Sequence, residues 1–297
     1  MTVRRSPSSI VLFVAVAIGM ACTFVGGNRA AAAEAPVGLG TAASFAVLGG
    51  TTVTNTGPSV ISGDVGLSPG TAITGFPPGI VNGTTHATDA VAAQAQIDTT
   101  TAYNDAAGRA STATVSADLA GQTLVSGVYT GGTLGLTGTV TLDAQGDPNA
   151  VFIFQSASTL ITASSSVVAL INGASACNVF WQVGSSATLG TNSTFVGTIL
   201  ALTSIAATTG VTVDGRLLAR NGEVTLDTNT ITSSTCTTTP TTTTTIAPTT
   251  TAVLPTPTVP AGGIPKTGTP ILPQLPLACG LVLVGGVVMA VRRRNHT

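Results

Sequence analysis

Apolar positions between residues 151 and 232 recur in rows of about 18 residues, close to the short periods that mark stacked-repeat folds. Residues 180–197 (FWQVGSSATLGTNSTFVG) align with 198–215 (TILALTSIAATTGVTVDG) and then with 216–232 (RLLARNGEVTLDTNTIT), and 151–168 (VFIFQSASTLITASSSVV) fits the same frame. Small or polar residues fall in fixed columns. One holds Thr162, Thr191 and Thr209, broken by Asp227; another holds Ser165, Thr194, Thr212 and Thr230. Single apolar residues such as Phe195, Val213 and Ile231 sit beside them. One such row cannot bury its apolar side alone, whereas stacked rows share a continuous core. The period therefore predicts a parallel β-solenoid whose outer faces carry ranks of hydroxyls.

The pattern changes upstream. Residues 37–58 and 60–69 look like short strands with Gly turns, and 71–83 like a loop punctuated by Gly75, Pro77, Pro78 and Gly79. Residues 88–113 are rich in Ala and Gln, with no Gly or Pro before Gly108. Val91, Ala95, Asp98, Ala102 and Tyr103 have helical spacing, and a side-chain oxygen of Thr88 or Asp89 can accept an orphan N–H at the start. The expected element is one helix over 88–107, lying along the solenoid. Strand-like sequence returns at 121–143, where Thr137, Thr139 and Thr141 alternate with Gly138, Val140 and Leu142.

The ends have a different character. Residues 1–33 combine Arg4 and Arg5, an apolar run and Ala31-Ala32-Ala33, the layout of a signal peptide cleaved after Ala33. Residues 34–236 form the expected folded domain. Residues 237–263 are a Thr/Pro-rich stalk, a composition that cannot pack a core. Residues 264–297 begin with Ile264-Pro265-Lys266-Thr267-Gly268, continue through an apolar stretch at 275–291 and end in a basic tail. That order resembles the LPxTG-like sorting signal of sortase-anchored Gram-positive surface proteins, with Ile264 in place of the usual Leu. The resemblance implies cleavage between Thr267 and Gly268 and linkage of Thr267 to peptidoglycan. Sortase and peptidoglycan are then partners, the membrane is engaged only through the C-terminal span before processing, and the protein is extracellular, anchored to the wall of a Gram-positive-type bacterium.

Charge and cysteine content narrow the function. The domain holds eleven acidic residues against three basic ones, Arg109, Arg216 and Arg220, a net of −8. A nucleic-acid binder needs a basic surface, which this composition lacks. Cys177 and Cys236 are the two cysteines of the exported part, and an exported pair points to a disulfide. Neither has a neighbouring His, so the sequence implies no metal site and no cofactor. His86 has no nucleophile motif near it, Asp143 and Asp147 sit in a turn-like DAQGDPN run, and Trp181 lies in an apolar row as a core residue. These features point away from an enzyme.

An ordered series of motifs then carries a second resemblance. It comprises SFAVLGG (44–50), VTNTG (53–57), ISGDV (61–65), GVYT (127–130), LDAQGDPNAVFIFQ (142–155), NVFWQV (178–183), FVGTIL (195–200) and GRLLARNGEV (215–224). Over residues 39–232 the chain resembles the ice-binding protein-like domain of secreted microbial proteins, the antifreeze-type family. The resemblance implies a mainly β fold, an irregular right-handed parallel β-solenoid of roughly triangular section, with one long α-helix alongside. It also implies that one flat face rich in Thr, Ser and Ala adsorbs to an ice crystal surface, in some members through a Thr-x-x-Thr motif. Residues 159–162 and 188–191 match that motif. The expected face residues are Thr159, Thr162, Thr188, Thr191, Thr194, Thr209 and Thr212, although these columns cannot all point the same way. The expected function is a wall-anchored ice-binding protein acting in ice adhesion or recrystallisation inhibition. The alternatives are a surface adhesin using the same scaffold for another ligand, and a structural wall protein.

Overall fold

In the computed structural model residues 34–234 and Cys236 are described. The signal peptide, stalk and sorting signal expected from the sequence lie outside these residues. The chain winds in coils of three short strands, and each strand pairs in parallel with its counterpart in the next coil. Stacking produces three faces.

A long helix, Ala90–Gly108, covers the first face, which includes Phe45–Gly49, Gly127–Gly131, Phe152–Ser156 and Val179–Val183. The second includes Thr139–Asp143, Val167–Ile171, Thr230–Thr232 and Val60–Ser62. Thr194–Ala201 and Thr212–Ala219 run from the second face onto the first, bending where Gly197 pairs with Gly215. Gly197 has φ 107°, and a Cβ on Gly215 would meet the Gly197 carbonyl oxygen at 2.0 Å. The third face is a seven-stranded sheet in the order Leu134–Leu136, Leu160–Thr162, Ala187–Leu189, Ile205–Ala207, Val224–Asp227, Thr52–Thr56, Ala72–Thr74.

That order shows the feature the periodic rows did not predict. The N-terminal coils dock onto the last C-terminal coil, with Thr54 opposite Thr225 and Val47 opposite Leu217. The N–H groups of Gly50 and Thr51 both donate to the Gly222 carbonyl, at 2.8 and 3.1 Å. The helix then carries the chain back along the stack to Ala113–Thr114, which pairs with Gly127–Gly131 at the other end. Arg216, 4% exposed, holds the seam by donating to the carbonyls of Ala43 and Ser234. Burial pushes its guanidinium below its ordinary pKa, against the opposing pull of Asp214.

The 18-residue step holds where Thr194 pairs with Thr212 and Thr212 with Thr230. It fails one coil earlier, where Phe152 pairs with Val179 and Val167 with Thr194. The longer coil contains the 3-10 turn Ala176–Asn178, and Cys177 in it is disulfide-bonded to Cys236. Row 151–168 is therefore out of frame in the sequence alignment. Ser165 occupies a turn at φ 59° rather than the Thr194 column, as Asn192 (φ 58°) and Thr228 (φ 55°) do in later coils.

Inside the stack, Tyr129, Phe154 and Trp181 lie over one another with ring centroids 5.5 and 4.0 Å apart. Trp181 is 1% exposed, and its indole N–H donates to the Val196 carbonyl at 3.0 Å, which satisfies its one polar atom. The core position read from the sequence holds. The helix is capped by Asp89, whose carboxylate accepts the Ala92 N–H. Its buried face is Ala92, Ala95, Thr99, Ala102, Tyr103 and Ala106, small enough for close approach to the sheet. Val91, expected on that face, points to solvent, and Asp98 sits at the rim accepting from Thr41.

Candidate functional site

Alternation along each strand of the third face sends every second side chain outward. Register then aligns these side chains across the sheet as Gly135, Ile161, Thr188, Ala206, Thr225, Thr54 and Thr74. The facing interior positions are apolar, including Leu134, Leu160, Ala187, Ile205, Val224 and Val53, each 1% exposed or less. Strands about 4.8 Å apart place the outward side chains at the same interval, on a backbone held by both neighbours. The column is thus a rigid, regularly spaced array of methyl and hydroxyl groups.

Each of the other two faces is at least partly covered. Outward residues Leu200, Leu218 and Leu48 of the first face are buried in one cluster with Ala95, Ala102 and Ala106 of the helix. On the second face the disulfide-bonded turn Ala176–Asn178 packs against strands Thr194–Ala201 and Thr212–Ala219. Val196 is only 8% exposed although it alternates with the inward Phe195. Among the described residues the seven-stranded sheet is uncovered along its length, whereas the second face is covered in part and leaves Thr139, Thr194, Thr212 and Thr230 exposed.

Its carboxylates lie beside the central column, where hydroxyls donate to them. Thr209 and Thr228 donate to Asp227, Thr52 donates to Glu223 at 3.4 Å, and Thr137 donates to Asp118. The Thr137 hydroxyl, helped by the Ala120 N–H, holds the Asp118 carboxyl below the usual carboxylate range.

The seven threonines expected from the sequence are divided. Thr188 stands in the outward column of the bare sheet, and Thr159 immediately precedes the neighbouring strand Leu160–Thr162. Thr191 and Thr209 lie in the turns leading to the second face. The Thr191 hydroxyl is 3.2 Å from that of Thr208, and the Thr209 hydroxyl donates to Asp227. Thr194 and Thr212 pair on the second face and are exposed there. Thr162 corrects the sequence reading: it points inward, is 4% exposed, and its hydroxyl accepts the Gly190 N–H at 2.9 Å. The 27-residue coil put it out of frame. Thr54, Thr74 and Thr225 were missed. The alternations Thr52-Val53-Thr54, Ala72-Ile73-Thr74 and Val224-Thr225-Leu226 mark them as outward strand residues, but nothing local places the first two beside the third.

Groups with catalytic potential are engaged elsewhere. His86 pairs with the helix-capping Asp89 at 2.7 Å. Asp143 accepts from the Gln145 N–H and the Asn172 amide, and Asp147 from the Asn149 N–H, which is turn chemistry. Among the described residues no three His, Cys, Asp or Glu side chains converge as a metal site would require.

The fold and the bare sheet define a class: a helix-braced parallel β-solenoid presenting one flat, hydroxyl- and methyl-bearing surface. The Ice-binding-like family model matches residues 47–232, and the chain belongs to that family. It is 58% identical over 196 residues to an ice-binding protein of Nostoc sp. (strain HG1), covering 65% of this chain and 72% of that one. It is 36% identical over 212 residues to an ice-binding protein of Flavobacterium frigoris (strain PS1), covering 66% and 75%. Among solved structures, an ice-binding protein from an Antarctic biological consortium aligns with TM-score 0.67 and 52% identity, over 68% of this chain and 93% of that one. One from the Antarctic ascomycete Antarctomyces psychrotrophicus aligns with TM-score 0.66 and 46% identity, over 68% and 100%. Family membership makes this a non-enzymatic protein.

Proposed function

We propose that the protein binds ice through the seven-stranded sheet, with Thr188, Ala206, Thr225, Thr54 and Thr74 as the contact column. The carrying observation is that this column is in register and uncovered. A rigid array loses little conformational freedom on adsorption, so little of the contact energy is spent on ordering. Threonine methyls favour an ordered water cage, and the hydroxyls anchor it. Ice-affinity partitioning and recrystallisation inhibition test the assignment with Thr188→Tyr against Thr212→Tyr, each an outward substitution on a different face. Thr188→Tyr is expected to weaken activity about tenfold or more, because one large ring holds a flat surface off its neighbours. Thr212→Tyr is expected to leave it unchanged. The opposite pattern moves the site to the second face, and exclusion of the folded wild-type protein from ice refutes the reading.

We further propose export and display on the cell wall, where ice binding would act as adhesion. The layout of residues 1–33 and the Ile264–Gly268 motif followed by an apolar stretch and basic tail support this. So does the Cys177–Cys236 disulfide, since such bonds persist in oxidising compartments. Release of the protein from wall fractions by peptidoglycan hydrolases, but not by detergent, is the expected result. Release by detergent alone would make it a membrane-held protein.

A further inference from the structure

Along the outward column of the bare sheet the height of the surface changes abruptly at one place. From Thr188 through Ala206, Thr225 and Thr54 to Thr74, no side chain extends beyond its γ atoms. Ile161, paired with Thr188, carries a Cδ1 one bond beyond the threonine methyl and is 51% exposed. On its other side stands Gly135, with no side chain. Across three adjacent strands, a span of about 10 Å, the surface therefore rises from bare backbone to the tallest group in the column and falls to threonine height.

A crystal plane does not bend to follow such relief. Contact attraction is short-ranged, and a gap of about 0.5–1 Å already forfeits a quarter to a half of it. A plane resting on the Ile161 Cδ1 would stand off Thr188, and a plane seated on Thr188 must end before Ile161.

Resting on the proposed ice-binding role of this sheet, we infer that Ile161 is the boundary of the ice-contact patch. It limits the patch to the five strands from Ala187–Leu189 to Ala72–Thr74. Three of these strands belong to the C-terminal coils and two to the N-terminal coils. The patch consequently exists only because Thr52–Thr56 pairs with Val224–Asp227, across the seam where the chain's start docks on its end.

Ile161→Thr, in the full chain, tests the boundary. The substitution is outward-facing, so the melting temperature should stay near that of wild type. Adding one threonine-height strand to five is expected to lower the concentration for half-maximal recrystallisation inhibition by about twofold. Ile161→Ala removes the step without adding a hydroxyl and is expected to be no weaker than wild type. Weakened activity in either variant, or an unchanged Ile161→Thr, overturns the boundary. Thr188→Tyr in the same series separates the two levels. If it is inactive while Ile161→Thr does not improve, only the boundary falls; if it remains fully active, the sheet itself is not the ice-binding face.

Discussion

The helix-covered sheet and the bare sheet share one backbone plan and differ in what points away from the core. Both are parallel ladders with apolar interiors. Under the helix, the outward side chains include Val128, Ile153, Phe180, Leu200 and Leu218, each 1% exposed or less. Amides among them bind the helix: Gln155 donates to the carbonyls of Ala106 and Arg109 at 2.8 Å, capping its C-terminal end, and Gln182 donates to the Tyr103 hydroxyl at 2.9 Å. On the bare sheet the outward set is mainly Thr with Ala, Gly and Ile. The ladder supplies rigidity to both. Outward chemistry decides whether a face recruits another part of the chain or remains open to something flat outside it.

Substitutions on the two faces should therefore have opposite signatures. The largest stability effect is expected on the covered face. Leu218→Ala removes a fully buried outward side chain and should cost about 2–5 kcal/mol in chemical denaturation. Ice affinity of the molecules that remain folded should be unchanged. A small stability loss there would mean that the helix packs less closely than the structure indicates.

The partly covered second face should come next. Replacing Cys177 and Cys236 with Ser opens the 59-residue loop and is expected to cost about 2–4 kcal/mol. The loss would appear as a lower melting temperature matched by reducing the wild-type protein. If both measurements leave the melting temperature unchanged, the disulfide does not hold this region together. On the bare face, Thr188→Tyr should stay within about 0.5 kcal/mol of wild-type stability while ice binding is lost, which completes the contrast.

Acid should have the smallest and most distributed effect. The Thr41 hydroxyl and N–H hold the Asp98 carboxyl below its ordinary value of 3.8, and the Ala92 N–H with His86 does the same for Asp89. A lowered folded-state pKa contributes stability that is present above the ordinary carboxylate pKa and lost as pH falls through the folded value. Both groups serve the helix, so melting temperature should decline as pH drops below about 3.8, more gently in Asp98→Asn. A flat profile through that range would remove these carboxylates from the helix's support.

Local pattern carried much of this molecule. The rows with Phe195, Val213 and Ile231 revealed the stacked strands, the Ala/Gln composition of 88–107 revealed the helix, and Cys177 with Cys236 revealed the disulfide. Thr188 was legible because its coil and the next obey one period. Thr162 was misplaced because the coil before that of Thr188 is 27 residues long. The row alignment set it beside Thr191, a turn residue, whereas the true register, two residues earlier, sets it beside the inward strand residue Leu189.

Sequence by itself determined most of the strand-forming segments, which residues can face the core, and that some face would display threonine, but Ala72–Thr74 and Ile80–Val81 are strands inside the Gly/Pro-punctuated run expected to be a loop. Tertiary structure alone decided which threonines share a face. Thr54 and Thr225 lie 171 positions apart in the chain, yet they are opposite each other because the first coils dock on the last and the helix returns the chain along the stack. Docking of that kind depends on the fit of whole coil ends and on partners such as Arg216 with the Ala43 carbonyl, which no local periodicity encodes.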